Sequence, residues 1–175
     1  MNKIQCVSRL VAGGLVAAFA SVVVAGEVAA VPVSLSPRLQ ATLQDTYGAE
    51  EGPKLRNYVA DAIGKSLNRA NGVCKLDLEV VIDDAMPSHP TPKQQSAAVD
   101  PVRSRSLGGA ALTGRLFSSS GQELATVNYK NYPPDFSSMS RSFDPWADAH
   151  VAMDVFSDQL VSACRHHSPA PAASP

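Results

Sequence analysis

The chain has 175 residues, 18% of them charged, and a formal net charge of −1. That length suits one domain with its own core. The near-neutral balance excludes a global field for polyanions, and no basic stripe with interleaved aromatics occurs, so nucleic-acid binding is set aside.

The first thirty residues read as a secretory signal. Lys3 and Arg9 supply the positive start, and Leu10 to Ala25 (LVAGGLVAAFASVVVA) is a run without charge. Cleavage after Ala25, Gly26 or Ala30 satisfies the small-residue rule at −3 and −1. The alternative is a retained anchor, but the run is shorter than the ~20 apolar residues a bilayer needs. Cys6 precedes the run, so it does not stand where a lipid-modified cysteine would. The expected product is a periplasmic or secreted protein of about 145 to 150 residues with no membrane span.

Ser36-Pro37 predicts a helix start, with serine as cap and proline at the first helical position. Leu39, Leu43 and Tyr47 share one face, and Gly48 is a C-terminal stop. A second helix is predicted from Pro53, with Leu55, Val59, Ile63 and Leu67 every four residues and Asn71-Gly72 at its end. Val73 to Ile82 alternates strictly. Cys74, Leu76, Leu78, Val80 and Ile82 face one side, and Lys75, Asp77 and Glu79 face the other, as in a sheet with one wet face. Residues 87–105 have no periodicity and form a long loop, of a length that is usually functional or disordered. Leu107–Phe117 and Gln122–Tyr132 predict a hairpin turning at Ser118–Gly121. The first arm is rich in glycine and alanine, which predicts close approach by a helix or strand. Asp144-Pro145 opens a last helix whose inward stripe is Trp146, Ala149, Met153, Phe156, Leu160 and Cys164. A low-complexity, disordered tail is expected over 166–175.

Cys74 and Cys164 both point toward the same core of an exported chain, which predicts a disulfide rather than two free thiols. The candidate chemistry is sparse. Asp83, Asp84 and His89 supply acid/base or metal-ligating groups. Adjacent strand residues point to opposite faces, however, so at most one aspartate serves a given site. His89, flanked by prolines, is expected to be exposed. Cys164, His166 and His167 contain zinc-ligating atoms, but the cysteine is assigned to the disulfide and the histidines to the tail. No serine lies in G-x-S-x-G, and no phosphate-binding glycine loop or C-x-x-C occurs. Tyr129, Tyr132 and Phe136, with His89, are the candidates for a partner-facing surface. Tyr129 and Tyr132 fall on opposite strand faces.

Ile82–Pro87, His89-Pro90-Thr91, Gln94, Gly108–Ala110, Tyr129 and Tyr132 together resemble a family of small exported proteins of Gram-negative bacteria. VSLSPRLQATLQDTYGAEE and DPWADAHVAMDVFSDQL belong to the same likeness. The resemblance implies a periplasmic protein; the family has no assigned activity or catalytic residues, so none is carried over. The order of elements is also similar to envelope-accessory domains, an analogy of fold alone. Many of those are lipoproteins; this chain lacks their cysteine.

The expectation is one α+β domain over 31–165, with a mixed or antiparallel sheet of about three to four strands and helices on one face. Its expected function is non-enzymatic binding or envelope accessory work, without cofactor or metal; its partner is unspecified, with an envelope protein as the candidate. The alternative is a small hydrolase or metalloprotein using Asp83 or Asp84 with His89.

Overall fold

A computed structural model describes residues 31–71, 74–96 and 104–168. The expected signal segment, Gly72-Val73, residues 97–103 and the chain end from 169 lie outside the described residues. The elements run β1 (Val33–Leu35), α1 (Pro37–Thr42), α2 (Glu51–Arg69), β2 (Asp77–Met86), α3 (Pro92–Gln95), β3 (Gly109–Phe117), β4 (Glu123–Asn131) and α4 (Ala147–His167). They build the expected α+β domain. A four-stranded sheet in the order β1-β2-β3-β4 has β1 parallel to β2, and the other pairs antiparallel.

The local signals act as their chemistry dictates. Ser36 caps α1, its Oγ accepting from Leu39 N at 3.1 Å. The helix continues through a π-helical turn, Leu43–Tyr47, and stops at Gly48, whose φ of 112° favours glycine. The second helix starts at Glu51, two residues before Pro53. Proline is accommodated there because first-turn N–H groups need no helical acceptor. β1 was not foreseen. Its three residues are too few to show alternation, and only pairing with Val80–Ile82 makes them a strand.

Alternation places Leu78, Val80, Ile82 and Ala85 of β2, and Ala110, Leu112 and Leu116 of β3, in the core. α4 covers them through the expected stripe, with Trp146, Ala149, Met153, Phe156, Leu160 and Cys164 all buried. α2 packs beside α4 and against β1. The small residues of β3 have the expected cause. A Cβ at Gly114 would stand 2.6 Å from Leu160 Cδ1 and 2.9 Å from Phe156 Cζ, so α4 lies directly on the strand.

Several expectations are corrected. The strand expected over Val73–Ile82 is paired over Asp77–Met86 instead, and Cys74 lies in the link before it. Its disulfide to Cys164 is present, with Cα atoms 5.5 Å apart and 90 residues enclosed. A bulge between Ile82 and Asp84 carries the strand past the two aspartates. An extra residue resets the side-chain alternation. Asp83 and Asp84 therefore both leave on the solvent-facing side, where Asp83 meets Thr113 and Asp84 meets Tyr132. α4 continues through His167, so His166 and His167 are exposed helical residues, not part of a tail. His89, expected to be exposed, is 5% exposed.

Candidate binding cleft

The segment after β2 is dictated by its prolines. Met86 and His89 precede proline, which disfavours helix and extends the chain. Thr91-Pro92 then starts α3 with a capping box. The Gln94 side-chain oxygen accepts from Thr91 N at 3.0 Å and from Thr91 Oγ1 at 3.3 Å. The loop's backbone is held from several sides. Ser88 N donates to Pro145 O at 2.7 Å, and Ser106 N donates to Ser88 O at 3.1 Å. Ser106 Oγ donates to Pro87 O at 2.6 Å, and Gln95 Nε2 donates to Pro90 O at 2.8 Å. Lys93 Nζ donates to Asp45 O at 3.0 Å, tying α3 to the π-helical turn. The part of the 87–105 stretch that is described is therefore an ordered, hydrogen-bonded structure.

Between the turn and the proline loop lies a half-open cleft of about 430 Å³. Tyr47, Met86, Pro87, His89 and Pro90 give it apolar walls, and Thr46, Gln94, Ser104, Arg105 and Ser106 give it polar groups. None of these lining residues is acidic. The Tyr47 ring is braced edge-on by Trp146, centroids 5.7 Å apart. Trp146 is fixed in turn by its Nε1, which donates to buried Glu51 Oε2 at 2.8 Å, while Lys54 Nζ pairs with Glu51 Oε1 at 2.7 Å. The Tyr47 hydroxyl has its pKa raised, first by burial and then by the charge of Asp84. The imidazole of His89 packs against Phe143, centroids 5.7 Å apart, and its buried Nδ1 has no hydrogen-bond partner among the described residues.

A smaller hollow of about 290 Å³ lies across Trp146, lined by Glu51, Lys54, Tyr58, Asp144 and His150 among others. His150 stacks flat on Tyr58, centroids 3.7 Å apart, and its Nδ1 lies 3.2 Å from Asp144 Oδ2. Burial lowers the His150 pKa; Asp144 and Asp154 pull it up and lose. Tyr58, half-buried and bonded to Asp154, is pushed up to about 12.

The sequence-predicted candidates are dispersed. Asp83 Oδ2 accepts from Thr113 Oγ1 at 2.7 Å, and Asp84 Oδ2 accepts from Tyr132 OH at 2.9 Å. Both hydrogen bonds lie on the outer sheet face, and no hydrogen bond among the described residues joins either carboxylate to His89. Among the described residues no three His, Cys, Asp or Glu side chains converge as metal ligands. The aromatic surface is split as alternation requires. Tyr129 packs against the core, Tyr132 lies outside beneath Lys130, and Phe136 is exposed in the following loop. His89 is not on it. Tyr47, Gln94 and Arg105 were missed as cleft residues. The capping box T-P-K-Q was the one local signal that could have marked Gln94 as ordered.

Comparison with protein-family models, with curated proteins and with solved structures found no match. Among the described residues no helix is long and apolar enough to cross a membrane.

Proposed function

We propose that this is an exported, non-enzymatic binding protein of the bacterial envelope, working in the periplasm, and that the cleft between the π-helical turn and the proline loop is its binding site. The observation that carries this reading is the cleft itself. Its volume lies in the range of small-molecule sites, and its walls are mainly apolar with a few fixed polar groups. Its rim is held by backbone hydrogen bonds and by a capped turn, so the site is preformed. The disulfide supports an oxidising compartment, and the N-terminal run supports export. A hydrolytic or metal-dependent role for Asp83 or Asp84 with His89 has less support, because both carboxylates are engaged by hydroxyl donors on the outer face.

The test uses protein taken from osmotic-shock fluid and measured by native mass spectrometry, with a photo-crosslinking residue at Thr46 in a parallel strain. The expected outcome is a shortened chain, a retained adduct, and crosslinks from position 46 that a control on the exposed Glu123 lacks. A full-length chain confined to the cytosol, or identical crosslinks from both positions with no adduct, would sink the proposal. Stoichiometric metal lost on His89→Ala would turn the search to the metalloprotein.

A further inference from the structure

Two of the cleft's lining side chains, Gln94 and Arg105, have only donors to offer, beside the hydroxyls of Thr46, Ser104 and Ser106, which can also accept. Gln94 Oε1 is occupied by the Thr91 N–H and hydroxyl, which leaves its amide nitrogen with two N–H groups to offer. Arg105 can only donate. Tyr47, its pKa raised, stays protonated at neutral pH and keeps an O–H to give. Ser106 Oγ already donates to Pro87 O. Among the described residues no carboxylate lines the walls, and the one that acts on Tyr47, Asp84, accepts from the Tyr132 hydroxyl. Around these donors stand flat or polarisable apolar surfaces: the Tyr47 ring, Pro87, Pro90 and the thioether of Met86, a residue 39% exposed. An excess of donors beside a rigid apolar wall suits a ligand with a flat hydrophobic body and an anionic acceptor head.

From this arrangement we infer that the cleft binds a small aromatic carboxylate, its ring against Tyr47, Met86, Pro87 and Pro90 and its carboxylate held by Arg105 and the Gln94 amide. The inference rests on the cleft being the binding site proposed above. A free small molecule is favoured over a macromolecule because the ordered proline loop and the π-helical turn bound the cleft on two sides, leaving a volume of small-molecule size. In this arrangement a neutral ring of the same shape loses the charge-assisted bonds and keeps only the stacking.

The probe is 2-naphthoate, compared with its neutral counterpart 2-naphthalenemethanol. Both are titrated calorimetrically into the mature oxidised protein, and amide NMR shifts locate the site. The expected result is saturable one-to-one binding of the acid, roughly tenfold tighter than the alcohol, with shifts concentrated at Thr46, Tyr47, Gln94 and Arg105. Arg105→Gln should erase that preference and leave alcohol binding unchanged. Gln94→Glu keeps an acceptor for the Thr91 N–H but puts a carboxylate in the cleft, and should weaken the acid alone. Equal affinity for acid and alcohol, both shifting the cleft resonances, would overturn the anion preference while leaving the cleft as a binding site. Absence of shifts at the cleft with either probe would overturn both. Tighter binding of N-acetyl-phenylalanine than of naphthoate by tenfold would overturn the free acid in favour of a peptide terminus.

Discussion

Ser36 shows how much one side chain can decide. Its Oγ accepts from Leu39 N, capping α1, and donates to Asp83 O at 2.6 Å, fastening that helix to the bulge in β2. Ser36→Ala removes both bonds and should cost about 1 to 2 kcal/mol, measured as a shift in the urea midpoint with an unchanged slope. Gly114 is the steric counterpart. In Gly114→Val, branched carbons would meet Leu160 and Phe156, and overpacking of this kind costs about 1 to 3 kcal/mol. Gly114→Ala should cost less, in the same direction, by thermal denaturation. His150 sets a pH dependence. Burial lowers its pKa below the ordinary value of 6.5, so between that value and the folded-state pKa the unfolded chain binds the extra proton. Its contribution is fully present above 6.5 and is lost as the pH falls through that window. Stability measured from pH 7.5 to 5 should decline in the wild type and decline less in His150→Gln.

At the scale of elements, α4 depends on two different attachments. Its buried stripe meets the strands, where close packing makes each large side chain costly to remove: Phe156→Ala should lose about 3 to 5 kcal/mol. Its far end is tied by the Cys74–Cys164 disulfide, which closes 90 residues. The chain-entropy model places that constraint near 4 to 5 kcal/mol. Cys164→Ala should therefore lower the thermal midpoint by about 10 °C or more under oxidising conditions, and reduction of the wild type should do the same. A midpoint indifferent to both would reject the bridge's role. α4 starts at Ala147, later than the cap-and-proline pair Asp144-Pro145 predicts; those two residues form the turn before it, where Asp144 Oδ1 accepts from Trp146 N at 2.9 Å. The start of β2 shifts too. Alternation in the sequence runs from Cys74, but a strand exists only where a neighbour pairs with it, and β3 begins pairing opposite Asp77.

At the scale of the whole molecule, among the described residues the sheet has helices on one face only. α2 and α4 bury the inner residues, and the outer face carries Asp83, Asp84, Thr113, Asn128, Lys130 and Tyr132 in a polar network. The cleft lies instead where four separate pieces of chain meet: the end of the π-helical turn, the exit of β2, α3, and the segment entering β3. Such a site has no linear signature. Thr46, Met86, Gln94 and Arg105 are ordinary residues until the parallel pairing of β1 with β2 brings α1 and its π-helical turn alongside the exit of β2.

The sequence by itself determined the helical stripes, the cap of α1, the hairpin, the α+β class and the inward facing of Cys164. These are consequences of short-range backbone chemistry and of hydrophobic period, and each can be read within a window of about one element. Tertiary structure alone decided β1, the shift of β2, the bulge that put both aspartates on one face, the burial of His89 and the cleft. Each of these depends on a partner distant in the chain: a three-residue strand needs Val80–Ile82, a bulge needs a facing strand with one residue fewer, and the loop that carries His89 is held by backbone bonds to Pro145 and Ser106. Local patterns specify which face turns inward, and only long-range packing specifies what it turns toward.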